Sequence, residues 1–151
     1  MKAIIIISLL SLMVSCNSQE KETEKSGSEI SDAKDSSVTN CYRYTNRKDT
    51  VSIQLVQVGE SVTGTLVYDF NEKDKNTGTI QGLIKDHLLV AEYTFMSEGV
   101  VSTRQVAFKM EGNSLIEGHG DSFHSNEKVY FKNLDSLRFS NSIKLSEVGC
   151  Q

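Results

Sequence analysis

From Cys41 to Gln151, apolar and polar residues alternate with a period of two in short runs broken by Gly, Asn, Asp and Ser, while helical periodicity is weak throughout. The clearest pair of runs is TVSIQLVQV and SVTGTLVYDF, separated by Gly59 and Glu60. Glycine in the first place of a two-residue loop suits a type II′ turn, whose twist matches that of the flanking strands. Such a turn sets Val58 opposite Ser61, and so Leu55 opposite Gly64, Ile53 opposite Leu66 and Val51 opposite Tyr68. These last three pairs contain only apolar residues or glycine, whereas the other face carries Ser52, Gln54, Thr63, Thr65 and Asp69. Register and inside-outside pattern therefore agree, which is what fixes a strand pair. Further strands are predicted at 41–45, 78–84, 88–96, 100–110, 114–118 and 128–132. With the hairpin they make about eight, an all-β antiparallel up-and-down meander. Such a meander hides its apolar face by closing, fully or partly, into a small barrel or by folding into two sheets. Closure puts the first strand beside the last.

Upstream the pattern changes. The apolar run from Ala3 to Val14, led by Lys2, is shorter than the ~20 residues that cross a bilayer, so residues 1–15 read as a signal peptide and not a membrane span. Leu12, Met13, Val14, Ser15 and Cys16 resemble the lipobox of bacterial lipoprotein precursors, with Met13 where Leu is commonest. The resemblance implies that Cys16 becomes the mature N-terminus and carries palmitate-type acyl chains, two or three of which anchor a protein stably. Residues 16–40 then form a lipidated cysteine and a disordered tether, rich in Ser, Glu, Lys and Asp with almost nothing to bury. Asn17 stands where an Asp signals inner-membrane retention in many diderm bacteria. The QEKETE run resembles the surface-export signals of Bacteroidota lipoproteins, and a merely solvated linker accounts for it equally. The expected address is the cell envelope, lipid-anchored at the outer membrane on its periplasmic side or at the cell surface.

The remaining stretch, 41–151, has the length of one domain. It contains neither Trp nor Pro. Without Lys2 the chain carries 15 basic and 20 acidic residues, with no basic stripe to neutralise phosphates, so nucleic acid is not an expected partner. Once Cys16 is acylated only Cys41 and Cys150 remain, one at each end of the domain and in an oxidising compartment, and a disulfide between them is predicted. Closing so long a loop stabilises a fold by up to about 4–5 kcal/mol on chain-entropy grounds. Two free thiols are the other reading.

The eight-strand meander resembles the calycin-like barrels, lipocalins and their small bacterial relatives, in fold only. The lipocalin Gly-x-Trp signature is absent, as is the Cys-x-x-Cys of copper-response lipoproteins. The Cys-Tyr start, the Asp-Thr-Val strand and the late cysteine are similar to small Bacteroidota lipoproteins, a likeness that implies no activity.

Three groups of residues carry candidate chemistry. If Ser97, Glu98 and Gly99 form a three-residue loop, Glu92 falls opposite Arg104, on the face shared by Leu88, Val90, Val106, Phe108 and Met110. An inward carboxylate–guanidinium pair would be either a structural salt bridge or the polar end of a ligand pocket. A one-residue shift instead turns Leu89, Ala91, Tyr93 and Phe95 inward and Glu92 out. Second, Glu117, His119, Asp121 and His124 in EGHGDSFH offer zinc- or copper-competent donors, although on a Gly-rich loop without the H-E-x-x-H spacing. Third, DFNEKDKNTG, residues 69–78, lacks the alternating pattern of a calcium loop and reads as a solvated hairpin connection.

No G-x-S-x-G elbow, P-loop or G-x-G-x-x-G motif is present, and the histidines are His87, His119 and His124. The expectation is a noncatalytic envelope lipoprotein without a cofactor. Its barrel binds a small apolar or amphipathic ligand, with Tyr68, Glu92, Arg104 and Phe108 as lumen contacts and His119, Asp121 and His124 as a weak metal set. The alternative is an envelope interaction module with a filled barrel, acting through loops 69–78 and 117–127.

Overall fold

The structure is a computed structural model that describes residues 36–151. The predicted signal peptide, Cys16 and all but the last residues of the predicted tether lie outside the described residues. The strands, in chain order, are β1 (Val38–Thr45), β2 (Thr50–Val58), β3 (Ser61–Asp69), β4 (Asn76–Lys85), β5 (Leu88–Ser97), β6 (Val100–Glu111), β7 (Ser114–His119), β8 (Ser122–Ser125), β9 (Lys128–Phe131) and β10 (Arg138–Val148), with one 3-10 turn at Leu134–Ser136. They form a single sheet in the order β5-β4-β3-β2-β1-β10-β7-β6-β9-β8, and pairing of β5 with β6 closes it. The closed ring is β1 to β7 plus β10, antiparallel at every seam. Closure leaves the ring without an unpaired edge, which an open meander would present to solvent and to other chains.

The β2–β3 register is the one the alternation demands, with Val51 on Tyr68, Ile53 on Leu66, Leu55 on Gly64 and Val58 on Ser61. Gly59 takes φ +60° as the first turn residue. The first strand lies beside the last, Cys41 opposite Val148. Cys41 and Cys150 are disulfide-bonded across that seam, their Cα atoms 5.3 Å apart.

Two expectations are corrected. The linker ends sooner than its composition indicates, because Val38, Thr39 and Asn40 already pair with β2. The eighth stave of the ring is β10 and not the predicted 128–132 strand. β9 instead pairs in parallel with β6 at Thr103 and Arg104, and β8 folds back on it as an outer hairpin. That hairpin has a place because β6 changes neighbours along its length. Phe108–Glu111 pair with β7, whereas β7 beyond Glu117 follows β10, with Gly118 opposite Phe139. β10 accommodates the divergence by a bulge: its five steps from Phe139 to Lys144 face only two on β7, from Gly118 to Ile116.

Inside, period-two positions from all eight staves meet. Val51, Leu66, Leu89, Phe108, Leu115 and Leu145 are fully buried, each such side chain stabilising the fold by about 1.5–3 kcal/mol. Gly82 sits on β4 where a Cβ would strike the Val90 carbonyl and approach the Ala91 Cβ to 2.6 Å, so glycine there lets the wall bend tightly enough to close a small ring.

Candidate functional site

Of the two ways to set β5 against β6, the structure takes the shifted one. Glu98 and Gly99 make a two-residue turn with φ +50° and +78°, so Ser97 pairs with Val100 and Arg104 falls opposite Tyr93. Leu89, Ala91, Tyr93 and Phe95 consequently share the inward face with Arg104, Val106 and Phe108. The expected lumen pair of Glu92 and Arg104 is thereby corrected. Glu92 stands on the outer face opposite Gln105, where it accepts hydrogen bonds from Lys128 Nζ at 2.8 Å and the Tyr130 hydroxyl at 3.1 Å. The Lys128 hydrogen bond holds the Glu92 carboxyl below its ordinary range and raises the Lys128 ammonium in return. This exposed pair reaches across β6 and fastens the outer hairpin to the barrel.

Arg104 has different company. Its guanidinium carbon lies 5.0 Å from the ring centre of Tyr68, 5.6 Å from that of Phe95 and 5.7 Å from that of Tyr93. Tyr93 and Phe95 are themselves stacked at 4.7 Å. Such a cage holds a cation through the negative faces of the rings. No carboxylate among the described residues forms an ion pair with Arg104, and its Nε is buried without a hydrogen-bond partner. The other orphaned buried side-chain atom among the described residues, Asn76 Oδ1, belongs to the residue paired with Tyr68 across β3 and β4.

The nearby carboxylate belongs to Glu117, which is buried and accepts the Tyr68 hydroxyl at 2.6 Å, the length of a phenol donating to a carboxylate. Burial first, and Glu117 second, push the Tyr68 phenol well above its usual range and keep it a donor. Burial likewise pushes Tyr93 up to about 12 against the opposing pull of Arg104, and its hydroxyl donates to the Asn76 carbonyl at 3.1 Å.

Where β6 and β7 part, a half-open crevice of about 200 Å³ lies between them and β9. Arg104 and Glu117 line it together with Val106, His119, Val129 and Phe131. No family model matches the chain, and no curated protein or solved structure matches it. Its chemistry is therefore read from these side chains alone.

Of the predicted lumen residues, Tyr68 and Arg104 are brought into contact, Phe108 is buried deeper in the apolar core, and Glu92 is outside. The proposed metal set is not assembled. His119, Asp121 and His124 are exposed, Glu117 turns inward, and no group of three or more such donors gathers among the described residues. His124 lies on β8, which forms because Asn126 and Glu127 both take positive φ, at 48° and 64°, and close a tight hairpin within the predicted 117–127 loop. The 69–78 connection is a loop only from 70 to 75, tied to the neighbouring turn where the Asn71 N–H donates to Asp49 at 2.9 Å. That bond holds the Asp49 carboxyl below its ordinary range.

The sequence places Glu117 beside the histidines of EGHGDSFH and brings Tyr93 and Phe95 inward only in the shifted register. The signal for Glu117 was its alternation with Leu115, two places away on the same inward face.

Proposed function

We propose that the protein is a noncatalytic cell-envelope lipoprotein, held at the outer membrane by acylated Cys16, that binds a small ligand at the polar end of its barrel. One observation carries the binding reading. Arg104 is a charged side chain without a counter-charge, poised by three aromatic rings on the wall of a crevice. A partly buried guanidinium whose Nε lacks a hydrogen-bond partner is costly to keep, and an anionic group of a ligand on the crevice side would supply the missing counter-charge. The size of the crevice limits that ligand. About 200 Å³ falls below the ~300–1,000 Å³ of pockets for drug-sized molecules. The lumen beyond it is occupied by Leu66, Leu89, Phe108, Leu115 and Leu145, which argues against a long acyl chain as cargo.

Native mass spectrometry tests the reading on protein isolated from its own envelope. The expected spectrum shows a small adduct that is lost on denaturation and is missing from the Arg104→Met variant. A bare mass in both proteins overturns the binding reading. Acyl mass on residue 16, with loss of membrane association in Cys16→Ser, tests the anchor separately.

A second reading, an interaction module, draws on β8. This strand ends the sheet order with all four residues exposed, Phe123 at 44%, and an uncovered strand edge is a template for another chain. A photo-crosslinker at position 123 in intact cells should give one discrete adduct if that reading holds. Absence of an adduct removes it.

A further inference from the structure

The crevice holds two unmatched charges of opposite sign. Arg104 has no carboxylate partner, and Glu117 spends only Oε1 on the Tyr68 hydroxyl. Its Oε2 takes no hydrogen bond from the described residues, and Glu117 belongs to the lining of the same crevice as Arg104. Arg104 and Glu117 do not pair with each other, although both contact Tyr68. The guanidinium lies over the Tyr68 ring face and the carboxylate accepts from the Tyr68 hydroxyl, so one phenol touches both groups.

A ligand with a single negative charge would satisfy Arg104 and add a like charge beside Glu117. A simple amine would satisfy Glu117 and repel Arg104. Either is selected against by the group it leaves unmatched. A molecule that carries both a carboxylate and an ammonium and is small enough for a crevice of about 200 Å³ satisfies both, and Val106, Val129 and Phe131 supply an apolar wall for a short side chain. Resting on the binding reading above, we propose that the ligand class is a zwitterion of α-amino-acid size, with its carboxylate toward Arg104 and its ammonium toward Glu117.

The test is calorimetric titration of the full-length protein with L-valine, isovalerate and isobutylamine, which share one isopropyl group and carry both charges, the carboxylate alone and the amine alone. Valine is expected to bind. Each single-charge probe should bind about 10- to 100-fold more weakly, the cost of one charge-assisted hydrogen bond. Glu117→Gln, which keeps the volume and an acceptor for Tyr68, should bring the valine affinity close to that of isovalerate. Isovalerate binding as tightly as valine and lost in Arg104→Met would overturn the zwitterion while leaving the anion-binding reading intact. No heat from any of the three, with the fold intact by circular dichroism, would overturn the zwitterion and weigh against Arg104 as a binding group.

Discussion

The barrel has two ends built from the same eight staves. At the end bounded by the β2–β3, β4–β5 and β6–β7 turns, the inward positions are Leu55, Val62, Leu89, Phe108, Leu115 and Leu145, all buried and without a polar atom. At the other end the inward positions are Tyr68, Asn76, Tyr93, Phe95 and Arg104, and the Tyr68 hydroxyl reaches from there to Glu117, the cross-strand partner of Phe108. The two orphaned buried polar atoms among the described residues, Asn76 Oδ1 and Arg104 Nε, are both there. One end stabilises the fold by exclusion of water, and the other costs stability that a purely structural barrel has no reason to spend. The difference teaches where to look for function in a molecule whose walls are otherwise uniform.

The comparison breaks first, and by most, under paired substitutions. Phe108→Ala should lower unfolding free energy by about 3–5 kcal/mol, read from the urea midpoint at unchanged slope. Arg104→Met, similar in reach but uncharged, should leave the midpoint in place or raise it, because it removes a partly buried charge whose Nε has no hydrogen-bond partner. Equal losses at the two positions would mean that the ends do not differ in kind.

A smaller effect probes the polar end alone. Tyr68→Phe deprives buried Glu117 of its donor and should cost about 1–3 kcal/mol. Adding Glu117→Leu should recover part of that loss, a non-additivity that only contacting groups show.

Alkali should act at the same end. The folded pKa of Tyr68 lies above 10.0 and that of Tyr93 at about 12. Ionisation of these phenols is thus easier in the unfolded chain. The stability they contribute is complete below pH 10 and is lost as pH rises from there toward 12. The urea midpoint should fall across that window in the native sequence and fall less in Tyr68→Phe.

The smallest effect lies outside the barrel. Glu92→Gln weakens an exposed ion pair and should cost little, with the difference disappearing in concentrated salt. Hydrogen exchange should show it as faster opening of β8 and β9, with the ring unaffected.

What the sequence made legible follows from which residues make the turns. Gly59 announces its turn by type, so the β2–β3 register and its inward face could be read pair by pair. Glu98 does not. A positive φ is uncommon for glutamate, so the two-residue turn it shares with Gly99 looked like three residues. That single step sent Glu92 to the wrong face and hid Tyr93 and Phe95 from the site. Asn126 and Glu127 concealed β8 in the same way. β10 was lost for a different reason: Asn141 interrupts the apolar positions between Phe139 and Ile143, and the strand bulges within that stretch. The seam disulfide was legible because Cys41 and Cys150 are the two cysteines left once Cys16 is set aside, one at each end of the domain, whereas the crevice depends on where β7 leaves β6, which no local pattern encodes.

The Cys41–Cys150 clasp also decides how the ring answers a mechanical pull. Tension arriving along the N-terminal arm first meets residues 38–40, which pair with β2, whereas the pairing with β10 begins at Cys41. At Cys41 the force divides. One share continues down β1, and the other crosses the sulfur bridge into β10, which is braced on its far side by β7. Stripping β1 from β2 rung by rung therefore stalls three residues in, and any further travel must shear two strands at once instead of peeling one.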